Sequence, residues 1–234
     1  GLKTQLADRA ITFNLAGFWT EISDYQATVN NGQTTVIRGY LANAGKVRVR
    51  GVEFDASVRP AQGLSLYLNG AYTDAKYARF VNAPCPPELS GGNPALNGAT
   101  PAPAGTPGLS PLTCDISGSV LPGISKWAFS YGAQYAVPVS SAAEIYAAYD
   151  GSYRSKFSSN PSYSAYTNID GYALSNFRLG VRNAEAKLNI FAWVRNAFGK
   201  KYFDLLSVQS GGTGLIVGQP ADPRTYGLTV SKSF

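Results

Sequence analysis

Two residue types are missing from this chain of 234 residues, which contains neither histidine nor methionine. Without histidine the chain cannot supply an imidazole acid or base, or the Ser-His pairing that many hydrolases use. Charged residues make up only 15% of the chain, and its 20 Lys and Arg are scattered, which argues against a nucleic-acid-binding stripe. No run of 18 apolar residues occurs, so the sequence predicts no transmembrane helix.

Tyrosine, phenylalanine and glycine are abundant, and apolar residues recur at every second position through much of the chain. The last eleven residues show the pattern, because Tyr226, Leu228, Val230 and the terminal Phe234 share one parity. A period of two places them on one face of a strand. A final strand ending on an aromatic residue is typical of outer-membrane β-barrels. The edge strand of a soluble sandwich is the alternative for this segment alone.

The same alternation predicts an all-β, antiparallel fold of nine strands joined by turns and loops. The predicted strands are 1–6, 10–26, 36–59, 64–80, 127–137, 143–157, 170–182, 187–195 and 224–234. Short connections (7–9, 60–63, 138–142 and 183–186) alternate with long ones. Outer-membrane barrels segregate short periplasmic turns from long outer loops in this way, so we favour a transmembrane β-barrel.

The longest connection, residues 81–125, carries nine of the 14 prolines and both cysteines. Proline cannot donate to a sheet ladder, so we interpret this segment as a long extracellular loop. Bacterial single-chain barrels have an even number of strands. We therefore expect at least one strand before Gly1, with the sheet incomplete as given.

Three stretches resemble the C-terminal barrel region of TonB-dependent outer-membrane receptors. They are NAGKVRVRGVEFDASVRPAQGLSLYLNGAYTDAKY (43–77), CDISGSVLPGISKWAFSYGAQY (114–135) and VRNAFGKKYFD (194–204) with the terminal Phe. The resemblance covers nearly all of 1–234, and it implies a 22-stranded barrel, an N-terminal plug domain and energy from an inner-membrane TonB complex. Neither the plug nor the TonB-contacting segment has a counterpart in this sequence.

A disulfide between Cys85 and Cys114 is the default for two cysteines in an oxidising periplasm or at a cell surface. Such a bond either stiffens the loop at a solute entrance or protects the loop from proteolysis, and the sequence leaves both open. Two cysteines without histidine are too few ligands for a metal site. We expect no cofactor.

Polar side chains on the opposite parity are expected to face the barrel lumen: Glu53, Asp55, Arg154, Asn176, Arg178, Arg182, Lys187 and Arg195. They contact a solute or the plug, or they only form the polar interior that a wide barrel needs. Aromatic residues in or beside outer loops either bind solute or form the outer girdle: Tyr163, Tyr166 and Tyr202. From both groups we single out Arg154, Arg178, Arg195 and the three tyrosines as solute or plug contacts.

The resemblance implies active uptake of a scarce solute, such as a ferric siderophore, a cobalamin-like molecule or a glycan, without covalent chemistry. A passive porin, a barrel enzyme such as a lipase or protease, and an interaction partner are the alternatives. The expected partners are outer-membrane lipid and lipopolysaccharide, the protein's own plug and TonB complex, the barrel-assembly machinery and a small-molecule solute. The assembly machinery would recognise Tyr226, Leu228, Val230 and Phe234. The expected location is the outer membrane of a Gram-negative bacterium.

Overall fold

A computed structural model of the chain describes residues 1–30, 39–85, 100–101, 112–161, 163–209 and 215–233. Nine strands form its main sheet: β1 (Leu2–Leu6), β2 (Ile11–Asn30), β3 (Gly39–Ala61), β4 (Leu64–Arg79), β8 (Trp127–Pro138), β9 (Ala143–Arg154), β12 (Tyr172–Asn183), β13 (Leu188–Arg195) and β16 (Thr225–Lys232). The remaining elements are short: β5 (Ala83–Pro84), β6 (Thr100–Pro101), β7 (Leu112–Cys114), β10 (Phe157–Ser158), a 3₁₀ turn (Ala165–Thr167), β11 (Asn168–Ile169), β14 (Phe203–Val208) and β15 (Ile216–Pro220). No helix among these residues is long and apolar enough to span a membrane.

The main sheet is an antiparallel meander in which each strand pairs with the next one along the chain, in the order β1-β2-β3-β4-β8-β9-β12-β13-β16. The prediction of nine antiparallel strands is confirmed. Within the described residues the sheet does not close, and β1 and β16 form its two edges.

The register keeps the two parities apart across the whole sheet. One row of directly paired residues runs Leu15, Phe54, Gly70, Phe129 and Tyr153. The adjacent row runs Asn14, Asp55, Asn69, Ser130 and Ser152. Successive side chains of a strand point to opposite faces, so the sheet has one apolar and one polar face.

The apolar face is open rather than buried in a core. Leu66, Phe177 and Ile190 remain 39%, 40% and 38% exposed, and Tyr226, Leu228 and Val230 are exposed more fully. A surface this apolar suits contact with hydrocarbon, as the sequence predicted for these positions. Phe234, the last member of the predicted set, lies outside the described residues.

Aromatic rings lie flat across neighbouring strands where those strands carry glycine. A Cβ atom at Gly132 would lie 2.4 Å from the Tyr67 ring, and one at Gly151 would lie 2.3 Å from Tyr131. Gly70 likewise lies between Phe54 and Phe129. These glycines are required because a side chain would occupy the volume that the ring fills.

Short turns all lie at one end of the main sheet, which we call the hairpin-turn end. Ala7, Asp8 and Arg9 adopt positive φ angles of 50°, 51° and 70° in the first turn, and Gly63 (φ 77°) makes the second. The opposite, long-loop end carries three small sheets, β5-β7-β6, β10-β11 and β14-β15. The alternation of short and long connections agrees with the sequence-based prediction.

The hairpin β14–β15 is the main difference from the prediction, which assigned this stretch to a Gly-rich loop. Leu205 and Leu206 are adjacent, and the β14–β15 register shifts between Phe203 and Leu205. A bulge of this kind interrupts the period of two on which the prediction relied. The sequence also predicts a turn at Asn30-Asn31-Gly32, of which Asn31 and Gly32 lie outside the described residues, while Asn30 is the last residue of β2.

A cluster of buried apolar residues packs at the long-loop end, where the segments around Cys85 and Cys114 lie against the extended tips of β2, β3 and β4. We call this cluster the cap. Its buried members are Ala27, Val29, Ala44, Val47, Tyr77, Phe80, Ala83, Cys85, Cys114 and Ile116. This cluster was not predicted from the sequence, because its residues come from four separate segments.

Candidate functional site

A hollow of about 430 Å³ on the polar face brings two of the predicted lumen cations together, Arg178 and Arg195. The side chains that make it chemically distinct are polar or aromatic: Asp150, Asn176, Arg178, Trp193, Arg195 and Thr229. They come from four consecutive strands of the main sheet, so antiparallel pairing alone positions them. This hollow is the candidate functional site.

One side of the site is an ion pair. Arg178 Nη2 lies 2.9 Å from Asp150 Oδ2, and the Tyr67 hydroxyl donates to Asp150 Oδ1 at 3.0 Å. Tyr67 reaches Asp150 across β8 because Gly132 leaves space for its ring. The carboxylate therefore neutralises Arg178, which lowers the capacity of Arg178 to attract a further anion.

The other side of the site holds Arg195, a cation that no described carboxylate neutralises. Arg195 lies at the end of β13 with its guanidinium 5.1 Å from the centre of the Trp193 ring, and no ion pair joins it to a described carboxylate. Trp193 is fixed by a hydrogen bond from its indole nitrogen to Thr229 Oγ1, at 3.1 Å, and it lies over Gly227. Arg195 is thus an exposed, oriented cation.

Trp193 was not among the predicted site residues, although the alternation along β13 places it on the same face as Arg195. Its neighbour Gly227 on β16, over which the ring lies, becomes known only with the strand register. The aromatic platform beneath Arg195 was therefore missed.

A second polar group lies on the same face towards the hairpin-turn end. Glu144 pairs with Arg182, whose guanidinium lies 5.1 Å from the centre of the Tyr146 ring. The Tyr146 hydroxyl donates to Asn189 Oδ1 at 3.0 Å. Because these side chains bond to one another, the group forms part of the barrel wall rather than an open binding site.

The remaining predicted lumen residues lie apart from the hollow. Asp55 accepts a hydrogen bond from Asn14 at 2.8 Å, and Glu53 lies two residues away on β3 near the β1 edge. Lys187 is in the hairpin turn before β13, with a φ angle of 48°.

Arg154 makes contacts that anchor a loop. Its guanidinium donates to the Ser125 hydroxyl at 2.7 Å and to the Gly123 carbonyl, and it lies 3.6 Å from the centre of the Phe157 ring. These bonds hold the segment that enters β8. The charge of Arg154 is directed at the protein's own loop.

The three predicted tyrosines occupy different environments. Tyr163 packs edge-on against Tyr77 beside the cap, and its hydroxyl donates to the Val120 carbonyl at 3.1 Å. Burial, and then the neighbouring Tyr77, raise the pKa of Tyr163 far above its usual range. Tyr166 is 70% exposed. Tyr202 stacks on Tyr172 at 4.1 Å, and burial followed by the nearby Asp204 raises its pKa.

The cap contains the Cys85–Cys114 disulfide, whose Cα atoms are 4.9 Å apart and whose cysteines are 29 residues apart in sequence. Ala83 pairs with Cys114, so the bond lies beside the β5–β7 ladder. It ties together the two ends of the Pro-rich loop, most of which lies outside the described residues. The predicted disulfide is present.

A second hollow, of about 660 Å³, lies on the opposite side of the sheet and is almost wholly apolar in its lining. Tyr135 and Leu179 flank a floor of small residues that includes Ala133, Ala147 and Ala192. Its place on the apolar face makes it a groove for hydrocarbon rather than a solute site.

The antiparallel sheet, with one apolar and one polar face, defines the class of protein as an outer-membrane β-barrel. The sheet forms part of the barrel wall, and its polar face lines the interior. Comparison with known proteins supports this class. The family model described as "TonB dependent receptor-like, beta-barrel" matches residues 1–197. The chain therefore belongs to the TonB-dependent receptor β-barrel family, whose members are outer-membrane receptors rather than enzymes.

Solved structures of similar fold include the ferric yersiniabactin uptake receptor FyuA from Yersinia pestis, with a TM-score of 0.65 and 19% identity over 97% of this chain and 28% of that one. The siderophore receptor PiuA from Acinetobacter baumannii matches with a TM-score of 0.62 and 17% identity, over 97% of this chain and 27% of that one. The copper transporter OprC matches with a TM-score of 0.63 and 14% identity, over 99% of this chain and 30% of that one. The chain thus spans less than a third of the length of each of these proteins.

Proposed function

We propose that this chain forms part of an outer-membrane receptor that takes up a scarce solute with energy supplied through TonB. The polar-face hollow carries the proposal, because it presents to the interior of the barrel an aromatic ring and an oriented cation that no described carboxylate pairs with. A passive pore needs only a polar wall, such as the satisfied Glu144–Arg182 group provides.

Solute identity is proposed only as a class. Arg195 and Trp193 suit an anionic solute with planar or aromatic groups, through charge and ring contacts. Ferric siderophores have this chemistry; PiuA is a siderophore receptor, and FyuA is an uptake receptor for ferric yersiniabactin. A cobalamin-like molecule or a glycan is the alternative within the same function.

Other parts of the proposal concern segments beyond the hollow. We assign residues 81–125 to an extracellular loop and 1–234 to part of the barrel domain, with the plug and TonB contacts on residues outside this chain. Tyr166 and Tyr202 are proposed as first contacts for solute at the long-loop end. Tyr226, Leu228 and Val230, with Phe234, are proposed as the strand that the barrel-assembly machinery recognises.

Arg154, Arg178 and Arg195 differ in what their contacts leave available for a solute. Arg178 is neutralised by Asp150, and Arg154 is held by Ser125 and the Gly123 carbonyl. Within the described residues, the guanidinium of Arg195 lies over the Trp193 ring and forms no ion pair. We therefore propose Arg195 as the residue among the three that contacts the solute or the plug most directly.

The test is uptake by the full-length protein in outer membranes that lack competing receptors, with a panel of ferric siderophores. We expect saturable uptake that stops when TonB is removed. The Arg195→Gln variant should raise the half-saturation concentration about tenfold, the effect of losing one charge-assisted contact. Arg9→Gln, in a hairpin turn, is the matched control. Non-saturable uptake that continues without TonB would identify a porin instead.

A further inference from the structure

A group of charged residues lies on the apolar face at the long-loop end, where the proposed function has no role for it. We call Trp19, Arg48, Arg50, Asp74 and Lys76 the outward basic cluster. Trp19, Arg50 and Asp74 are paired in one row across β2, β3 and β4, and Arg48 pairs with Lys76 in the next row.

The height of the cluster follows from the strand register. One row closer to the hairpin-turn end, Val52 pairs with Tyr72, which pairs with Trp127, and the Tyr72 and Trp127 rings are 4.7 Å apart. Aromatic residues of this kind mark the membrane interface in barrels. At about 3.3 Å per residue, the cluster begins about 7 Å further along the strands, at the level of lipid headgroups.

The cluster holds more positive charge than its own carboxylate neutralises. Asp74 is only 3% exposed. One of its oxygens lies 3.1 Å from Arg50 Nε and 4.0 Å from Arg48 Nη2, and the other lies 3.2 Å from Lys76 Nζ. Three cations thus share one carboxylate, and Arg48 faces Lys76 directly, a like-charge arrangement that is destabilising without an anion.

Two further observations indicate that the cluster has hydrogen-bonding capacity and positive charge left for a ligand. The Nε atom of Arg48 is buried and has no hydrogen-bond partner among the described residues. Glu21 is the cross-strand partner of Arg48 on β2, but its carboxylate lies 2.6 Å from Lys46 Nζ and is thereby neutralised by Lys46. An additional anion would satisfy the cations that Asp74 leaves in excess.

Trp19 orients the guanidinium groups. Its ring centre lies 5.3 Å from the Arg50 guanidinium carbon and 5.7 Å from that of Arg48, and the ring itself is 61% exposed. Cation–π contacts hold the two planar groups side by side. Guanidinium groups held in this way match the oxygen geometry of a phosphate.

We propose that the outward basic cluster binds the phosphate of a glycolipid headgroup, of the lipopolysaccharide type, in the outer leaflet. The proposal rests on the proposed function, which places this face against lipid and directs the long loops outward. The neighbouring apolar surface accounts for the choice of a lipid over free phosphate, because Val52 and Leu68 continue the same face towards the membrane and accept the acyl chains.

The experiment measures lipopolysaccharide binding to the full-length protein purified in detergent, with native and enzymatically dephosphorylated lipopolysaccharide as probes. The test variant is Arg48→Gln/Arg50→Gln. The control variant Arg9→Gln/Lys187→Gln removes two cations from hairpin turns at the other end. Solute uptake is measured on the same variants in membranes, because it reports on the proposed function independently.

We expect the test variant to bind native lipopolysaccharide at least about tenfold more weakly, as the loss of charge-assisted phosphate contacts predicts. The control should bind like the unaltered protein, and dephosphorylated lipopolysaccharide should bind weakly to every form. Equal binding by the test variant, equal binding of the dephosphorylated probe, or displacement by millimolar inorganic phosphate would each overturn the proposal. Failure of uptake in all forms, with lipid binding intact, would instead count against the proposed function.

Discussion

The cap and the main sheet are stabilised by different means. Cap residues such as Val47, Ala83 and Phe80 are almost inaccessible to solvent and pack around a disulfide, as in a small secreted protein. Within the described part of the main sheet, large apolar residues such as Leu68 and Leu179 stay exposed on one face. The stability of the sheet therefore depends on the backbone hydrogen bonds between its strands and on the hydrocarbon that contacts its apolar face.

This difference shows where the protein can tolerate change. The cap loses stability when buried volume or its cross-link is altered, since water surrounds it. The sheet loses stability when a polar group meets hydrocarbon, or when a ring loses the space that glycine leaves for it. Three changes test this comparison, in order of expected effect.

The Cys85→Ser/Cys114→Ser variant should show the largest effect, confined to the cap. Opening a loop of this length costs about 3–4 kcal/mol in the chain-entropy account of disulfides. The Ile116 amide, which bonds to the Phe80 carbonyl at 3.0 Å, should then exchange its hydrogen at least about a hundredfold faster.

Amides of β12, such as that of Leu179, are the internal control and should exchange at the same rate in both proteins. Equal acceleration in β12 would show that the cap and sheet are one cooperative unit. Unchanged exchange at Ile116 would show that the disulfide contributes nothing to the cap.

Leu66→Arg and Ser65→Arg compare the two faces of one strand. Leu66 is on the apolar face of β4, six residues before Tyr72 in the aromatic row that marks the membrane interface. An arginine there should cost about 2–4 kcal/mol in folding free energy. Ser65 is on the polar face, so an arginine there should cost much less. Urea titration of the full-length protein in lipid vesicles measures both, and equal costs would show that the faces were assigned wrongly.

Gly132→Ala tests the space that glycine leaves for a ring. The added Cβ would lie 2.4 Å from the Tyr67 ring and 2.6 Å from the Tyr149 carbonyl oxygen, which should cost about 1–3 kcal/mol. Gly17→Ala is the matched control, because its nearest neighbour is the Gly51 oxygen at 3.9 Å. The same titration should separate the two variants, and identical midpoints would contradict the packing argument.

The strand count, the two faces and the arrangement of turns were predictable from the sequence. Residues such as Leu66 and Ser65 reveal their faces by parity alone, because strand side chains alternate. The disulfide was also predictable, since two cysteines in an oxidising compartment have one possible pairing. The β14–β15 hairpin was not, because its bulge and its adjacent leucines conceal the alternation.

By itself the sequence determined which side chains meet lipid and which meet water, because a period of two is a local property of the chain. Only the tertiary structure decided which charges pair with which. Asp150 neutralises Arg178, Arg195 rests on Trp193, and Asp74 is shared among three cations, since these contacts depend on register between strands that are distant in sequence. The candidate solute site and the outward basic cluster both result from that register.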